Sequence, residues 1–86
     1  MPNRLPIYAV GKADPVGDIW IPDDPTEVRR ETLKRLLKEV RQEIRVNLHD
    51  HGLSCFELAR RFRMIHVRED RIKRLLRKCM AEEETT

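Results

Sequence analysis

Apolar residues recur along this chain in two helical stripes, with a stretch between them where the pattern breaks. The first stripe is Leu33, Leu36, Leu37, Val40, Ile44 and Leu48, spaced by threes and fours as a 3.6-residue period requires. The second is Ile72, Leu75, Leu76, Cys79 and Met80, at i, i+3, i+4, i+7 and i+8. Between them Phe56, Ala59 and Phe62 suggest a shorter helix, which "RMIHV" (residues 63–67) interrupts. Met64, Ile65 and Val67 crowd that interruption, so burial is expected for all three, because a solvated link seldom concentrates apolar side chains.

The boundaries have their own signals. "DDPTE" offers Asp24 as a cap, Pro25 at the first helical position and Glu27 three residues after the cap, which predicts that the first helix starts there. Gly52 is a plausible stop. Ser54 and Glu57 have the spacing of a capping box for the second helix. The third helix is expected from about Arg68 to about Glu82, with Glu69 and Asp70 in its first turn. Residues 1–24 differ in kind, holding four of the five prolines and two of the three glycines. "PIYAV" and "DIWI" are short β-prone runs around a turn-like "GKADPVG", which suits either a small hairpin or an irregular arm. Trp20 is expected to pack on the helical body.

The predicted fold class is therefore mainly α: a three-helix, helix-turn-helix-like domain with an irregular or β-hairpin N-terminal arm. Its parts are an arm over 1–24, a helical domain over 25–82 that contains a helix-turn-helix-like segment at 54–80, and an acidic tail at 83–86. With 86 residues there is room for one thin core. Leu33, Leu37, Val40 and Ile44 also form a heptad-like seam, which is expected to pack on the other helices and could alternatively pair two copies as a homodimer. Val28 and Val46 lie off that stripe, where they could receive the arm or a second subunit.

Charge placement says more than the net value of +3. Residues 54–80 carry nine basic groups against Glu57, Glu69 and Asp70, whereas residues 1–24 and the tail are acidic overall. On a third helix with Ile72 and Cys79 inward, Arg74 and Arg77 point outward, flanked by Arg71, Lys78 and Lys73. Arg60, Arg61 and Arg63 of the second helix add to the same ridge. Such a ridge suits phosphates.

"GLSCFELARRF…DRIKRLLRK" resembles the opening of helix-turn-helix and winged-helix domains: a capping Ser, an "ELA" core triplet, then an Ile and Leu pattern in the next helix. Arg63 stands where the tight form has its turn glycine, the link to the next helix is longer, and no C-terminal wing is expected. The resemblance implies that Ala59 is the small residue at the helix crossing, that Leu58, Phe62, Ile72 and Leu75 are core, and that Arg71, Arg74, Arg77 and Lys78 face DNA. The partner expected on these grounds is DNA, with RNA as an option, bound by a small regulator or accessory factor. An exposed face without Asn or Gln favours phosphate contacts over adenine readout. With roughly 4–6 such contacts the log–log salt slope would be about −4 to −5. The alternative is a protein-binding adaptor or inhibitor, or a small subunit of a larger assembly.

Other chemistries have weaker support. His49, His51 and Cys55, with His66 and Cys79, match no zinc-finger spacing, so no metal is expected. His49 and His51 suit the end of the first helix, and His66 a structural place in the turn. There is no glycine-rich phosphate loop and no Gly-x-Ser-x-Gly, and neither catalysis nor a cofactor is expected. Cys55 and Cys79 are expected as buried free thiols. No apolar run approaches the roughly 20 residues of a bilayer span. The N-terminus makes a poor signal peptide. No membrane partner and an intracellular location, cytoplasmic or nuclear or nucleoid-associated, are the expectation.

Overall fold

The structure is a computed structural model that describes residues 3–12, 14–49 and 52–85, the last four by backbone alone. Two strands come first, β1 (Arg4–Ile7) and β2 (Gly17–Trp20), paired antiparallel with Leu5 opposite Ile19. Alternation sends Leu5, Ile7, Ile19 and Ile21 to one face, where Leu5 and Ile21 are buried. Pro6 is tolerated because a two-stranded sheet has only edges. The same alternation decides Trp20. With Ile19 and Ile21 inward it must point outward, and it is 49% exposed, so it does not pack on the helices as expected. The hairpin alternative for the arm is the one observed. A turn at Gly11, whose φ is +82°, lies in the loop between the strands.

The start signal at Asp24 is real but short. Its carboxylate accepts from the Thr26 N–H at 2.9 Å, and Pro25–Glu27 forms one 3-10 turn. Val28 and Arg29 are extended, and the helix proper, α1, runs Arg30–Asn47. After a short link comes α2, Cys55–Thr85, whose 31 residues span about 46 Å. Its first turn carries the capping box: the Glu57 N–H donates to Ser54 Oγ and the Ser54 N–H to Glu57 Oε2, both at 3.2 Å.

The expected break at "RMIHV" does not exist, and the three-helix, helix-turn-helix-like class is wrong: among the described residues the fold has two α-helices, one 3-10 turn and a β-hairpin. The physical reason lies in the stripe. Leu58, Arg61, Ile65, Arg68, Ile72, Leu75 and Cys79 step by three and four without interruption, and no Gly or Pro stands between Leu53 and Thr85. Two arginines occupy stripe positions, which made the apolar pattern look broken. Both are buried, at 3% and 4% exposure. Of the three residues expected inside, Ile65 is fully buried, Met64 half-buried and Val67 exposed.

The partner stripe on α1 has the same design. Leu33, Leu36 and Val40 are apolar, and then Glu43 and Asn47 take the next two positions. Because the helices run antiparallel, apolar half meets apolar half. Leu33, Leu36 and Val40 share a core with Ile65, Ile72 and Leu75, under Leu5 and Ile21 of the hairpin. Fully burying each such side chain stabilises by about 1.5–3 kcal/mol. The α1 seam is thus used within the chain: Leu33 and Val40 are buried, and Leu37 and Ile44 pack half-buried against the core. Val28 joins them, while Val46 stays 39% exposed. Among the described residues no helix is long and apolar enough to cross a membrane.

Candidate nucleic-acid interface

The polar halves of the two stripes make a buried layer that ties the hairpin down. Arg68 donates to Glu43 Oε1 and to the Pro6 carbonyl, both at 2.7 Å. The second Glu43 oxygen accepts from the Tyr8 N–H at 3.2 Å. Arg61 donates to Asn47 Oδ1 at 2.7 Å, to the Ala9 carbonyl at 3.4 Å and to the Lys12 carbonyl, with its guanidinium 5.1 Å from the centre of the Tyr8 ring. Asn47 in turn donates to the Glu43 carbonyl at 2.8 Å.

This layer sorts the cations expected to meet nucleic acid. Arg61 is not on the surface at all: it is a buried hook for the loop between the strands. Arg71 is half-buried and donates to Asn3 Oδ1 at 3.4 Å. Lys73 is half-buried and lies 3.8 Å from Glu69. Arg60, Arg63, Arg74, Arg77 and Lys78 are exposed, and among the described residues none of them forms an ion pair. At 100° per residue these five fall within an arc of about 100° on the side of α2 away from the core. From Arg60 to Lys78 they cover about 27 Å.

Few acids share that side. Glu57 is held by the capping box, and Glu69 is 9% exposed, turned towards Arg41 of α1 at 3.6 Å and His66 at 3.1 Å. Asp70 remains, and Asp23 joins it in a shallow hollow with Val67, Arg71, Arg74 and Lys78. The neighbouring Asp24 has its carboxyl held below the usual range, first by the Thr26 N–H it accepts from and then by the Thr26 side chain, with Lys78 contributing at longer range. Two apolar side chains interleave with the cations. Phe56 is 78% exposed beside Ala59, Arg60 and Arg63, and Val67 is 42% exposed.

The residues of the helix-turn-helix pattern scatter in this arrangement. Ala59 is exposed on α2 and meets no crossing helix; Ile72 and Leu75 are core; Leu58 and Phe62 are half-buried. Cys55 is exposed and Cys79 half-buried, both free, so the expectation of two buried thiols is corrected for Cys55. Its position at the first turn, before the stripe begins at Leu58, explains the exposure. His49 is exposed, His51 lies outside the described residues, and His66 sits on α2 rather than in a turn. Among the described residues no group of three or more His, Cys, Asp or Glu side chains could hold a metal ion.

On α1 the charges separate by flank. Glu39 and Glu43 lie toward the hairpin, near Ile7 and Ile19, whereas Lys34, Lys38, Arg41 and Arg45 line the opposite flank with Leu37 and Gln42. The i, i+4, i+7, i+11 spacing of that row is readable in the sequence, alongside the apolar stripe rather than on it. Comparison with protein-family models, with curated proteins and with solved structures finds no match.

Proposed function

We propose that the chain binds nucleic acid, DNA in the first instance, by phosphate contacts along the outer side of α2. One observation carries the reading: Arg60, Arg63, Arg74, Arg77 and Lys78 share one side of a single helix, and among the described residues none of them is tied up in an ion pair, with Asp70 the one acid on α2 among them. Like charges collected on one helix destabilise it slightly and attract polyanions. A 46 Å rod with five such groups can follow a backbone over several phosphates. Phe56, exposed at the end of the row beside Arg60 and Arg63, offers an aromatic face to an unpaired base. Arg61 takes no part, and Arg71 and Lys73 border the row.

The test is fluorescence anisotropy with labelled random-sequence duplex and single-stranded DNA across a salt series. The five α2 cations alone require a log–log slope for the duplex at least as steep as about −4 to −5. Charge reversal of Arg74 and Arg77 together should remove binding while the far-UV circular dichroism stays helical. Binding that survives this change would refute the α2 row.

A further inference from the structure

The row on α1 has no part in that proposal. Lys34, Lys38, Arg41 and Arg45 fall within about 60° of one another around the helix. They point away from the flank on which Glu39 and Glu43 meet the hairpin. Every neighbour relation inside the row is like-charged: Lys34 with Lys38 and Arg41 with Arg45 at i, i+4, and Lys38 with Arg41 at i, i+3. Such pairs work against an isolated helix. The same helix shows the usual remedy elsewhere, where Arg35 lies 3.8 Å from Glu39 one turn on. Along the row that remedy is missing. Lys34, Lys38 and Arg45 are exposed and unpaired among the described residues. The acid that reaches the row, Glu69 of α2, is already shared by Arg41, Lys73 and His66 and is nearly out of contact with water.

We infer that Lys34, Lys38, Arg41 and Arg45 form a second contact row for a nucleic-acid backbone, on the face of the helix pair opposite the β-hairpin. This rests on the reading of α2 given above and extends the surface to both helices, with Lys73 between them. The row covers about 16 Å, over which a duplex presents several phosphates on either strand. An acidic protein helix fits less well, because its recognition needs apolar anchor pockets, and the apolar side chain lining this hollow is the half-buried Leu37.

The experiment uses the full chain and the triple variant Lys34→Gln, Lys38→Gln, Arg45→Gln, with a labelled random-sequence duplex and poly-glutamate as probes. Removing up to three phosphate contacts should weaken duplex binding in about 0.1 M salt roughly a hundredfold and flatten the log–log slope by about 2 to 3. Its melting temperature should equal or exceed that of the parent, since repulsion is relieved. Unchanged slope and affinity in the triple variant, beside an Arg74→Gln, Arg77→Gln variant in which both fall, would overturn the second row and leave the α2 row standing. Poly-glutamate binding lost in the triple variant while duplex affinity is kept would also overturn it, in favour of an acidic protein. A lower melting temperature would assign the row to the fold. A parent chain that binds no nucleic acid at any salt would fail the α2 reading itself.

Discussion

Arg68 and Glu43 meet at 2.7 Å in the middle of the helix pair, with side chains 5% and 12% exposed. Neither charge is left to the other alone, since the Pro6 carbonyl and the Tyr8 N–H complete the layer. Removing one member of such a pair leaves an uncompensated buried charge, at a cost of about 3–5 kcal/mol. Glu43→Gln should therefore lower the unfolding free energy by that amount in urea denaturation. The double variant Glu43→Leu, Arg68→Met should recover most of it, because desolvation of the pair is also relieved. Equal stability of the single and double variants would show that the pair is not buried as described.

Arg61 makes a different prediction, because its partners are mainly backbone. Its planar fork reaches the Ala9 and Lys12 carbonyls and Asn47 together, which a lysine ammonium on a flexible stem cannot reproduce. Arg61→Lys keeps the charge yet should release the loop between the strands. Amide exchange at Tyr8–Lys12 should accelerate by at least tenfold, with α2 amides near Ile72 little changed. Nucleic-acid affinity should change little, which separates Arg61 from the exposed row to which its sequence position assigned it.

These two arginines also explain how far the sequence could be read. The apolar half of each stripe was legible: Leu33, Leu36 and Val40 on α1, and Ile72 and Leu75 on α2, are buried as their spacing implies. So was the capping box at Ser54 and Glu57. The helix count was not, because Arg61 and Arg68 sit at stripe positions and their burial depends on carbonyls of a hairpin more than 45 residues away in the chain. Local pattern contains no sign of such a partner. For the site, outward pointing at Arg74, Arg77 and Lys78 followed from the stripe, whereas the position of Arg71 against Asn3 did not.

Continuity of α2 is directly measurable. Spin labels at positions 60 and 78, in a background with Cys55 and Cys79 replaced by serine, should report a narrow distance distribution. The backbone separation should centre near 27 Å, as 18 helical rises require. A turn near Arg63–Val67 would shorten and broaden it. Since both labelled positions are exposed, the labels should not disturb the core.

Asp24 gives a pH prediction with a definite sign. Its carboxyl is depressed in the folded chain, chiefly by the Thr26 N–H, so ionised Asp24 favours folding. That contribution is fully present above the ordinary aspartate value of 3.8 and is lost as pH falls through the lower folded value. The stability difference between the parent and Asp24→Ala should therefore be constant from pH 7 to about 5 and shrink below about 4. Denaturant midpoints at pH 7, 5, 4 and 3 would read it. A difference that grows on acidification would contradict the cap.

Phe56 separates two ways of meeting nucleic acid. Backbone neutralisation is indifferent to whether bases are paired, whereas stacking needs a base that can leave its partner. At 78% exposure Phe56 contributes little to the core, so Phe56→Ala should leave the melting temperature within a degree or two of the parent. If it stacks, the variant should lose single-stranded affinity by roughly five- to a hundredfold, corresponding to about 1–3 kcal/mol, and keep its duplex affinity and its salt slope. Leucine at the same position, apolar but without a ring, should behave like alanine. If leucine restores binding, the contact is a hydrophobic one to a protein surface, and the exposed end of α2 belongs to a different partner from its arginines.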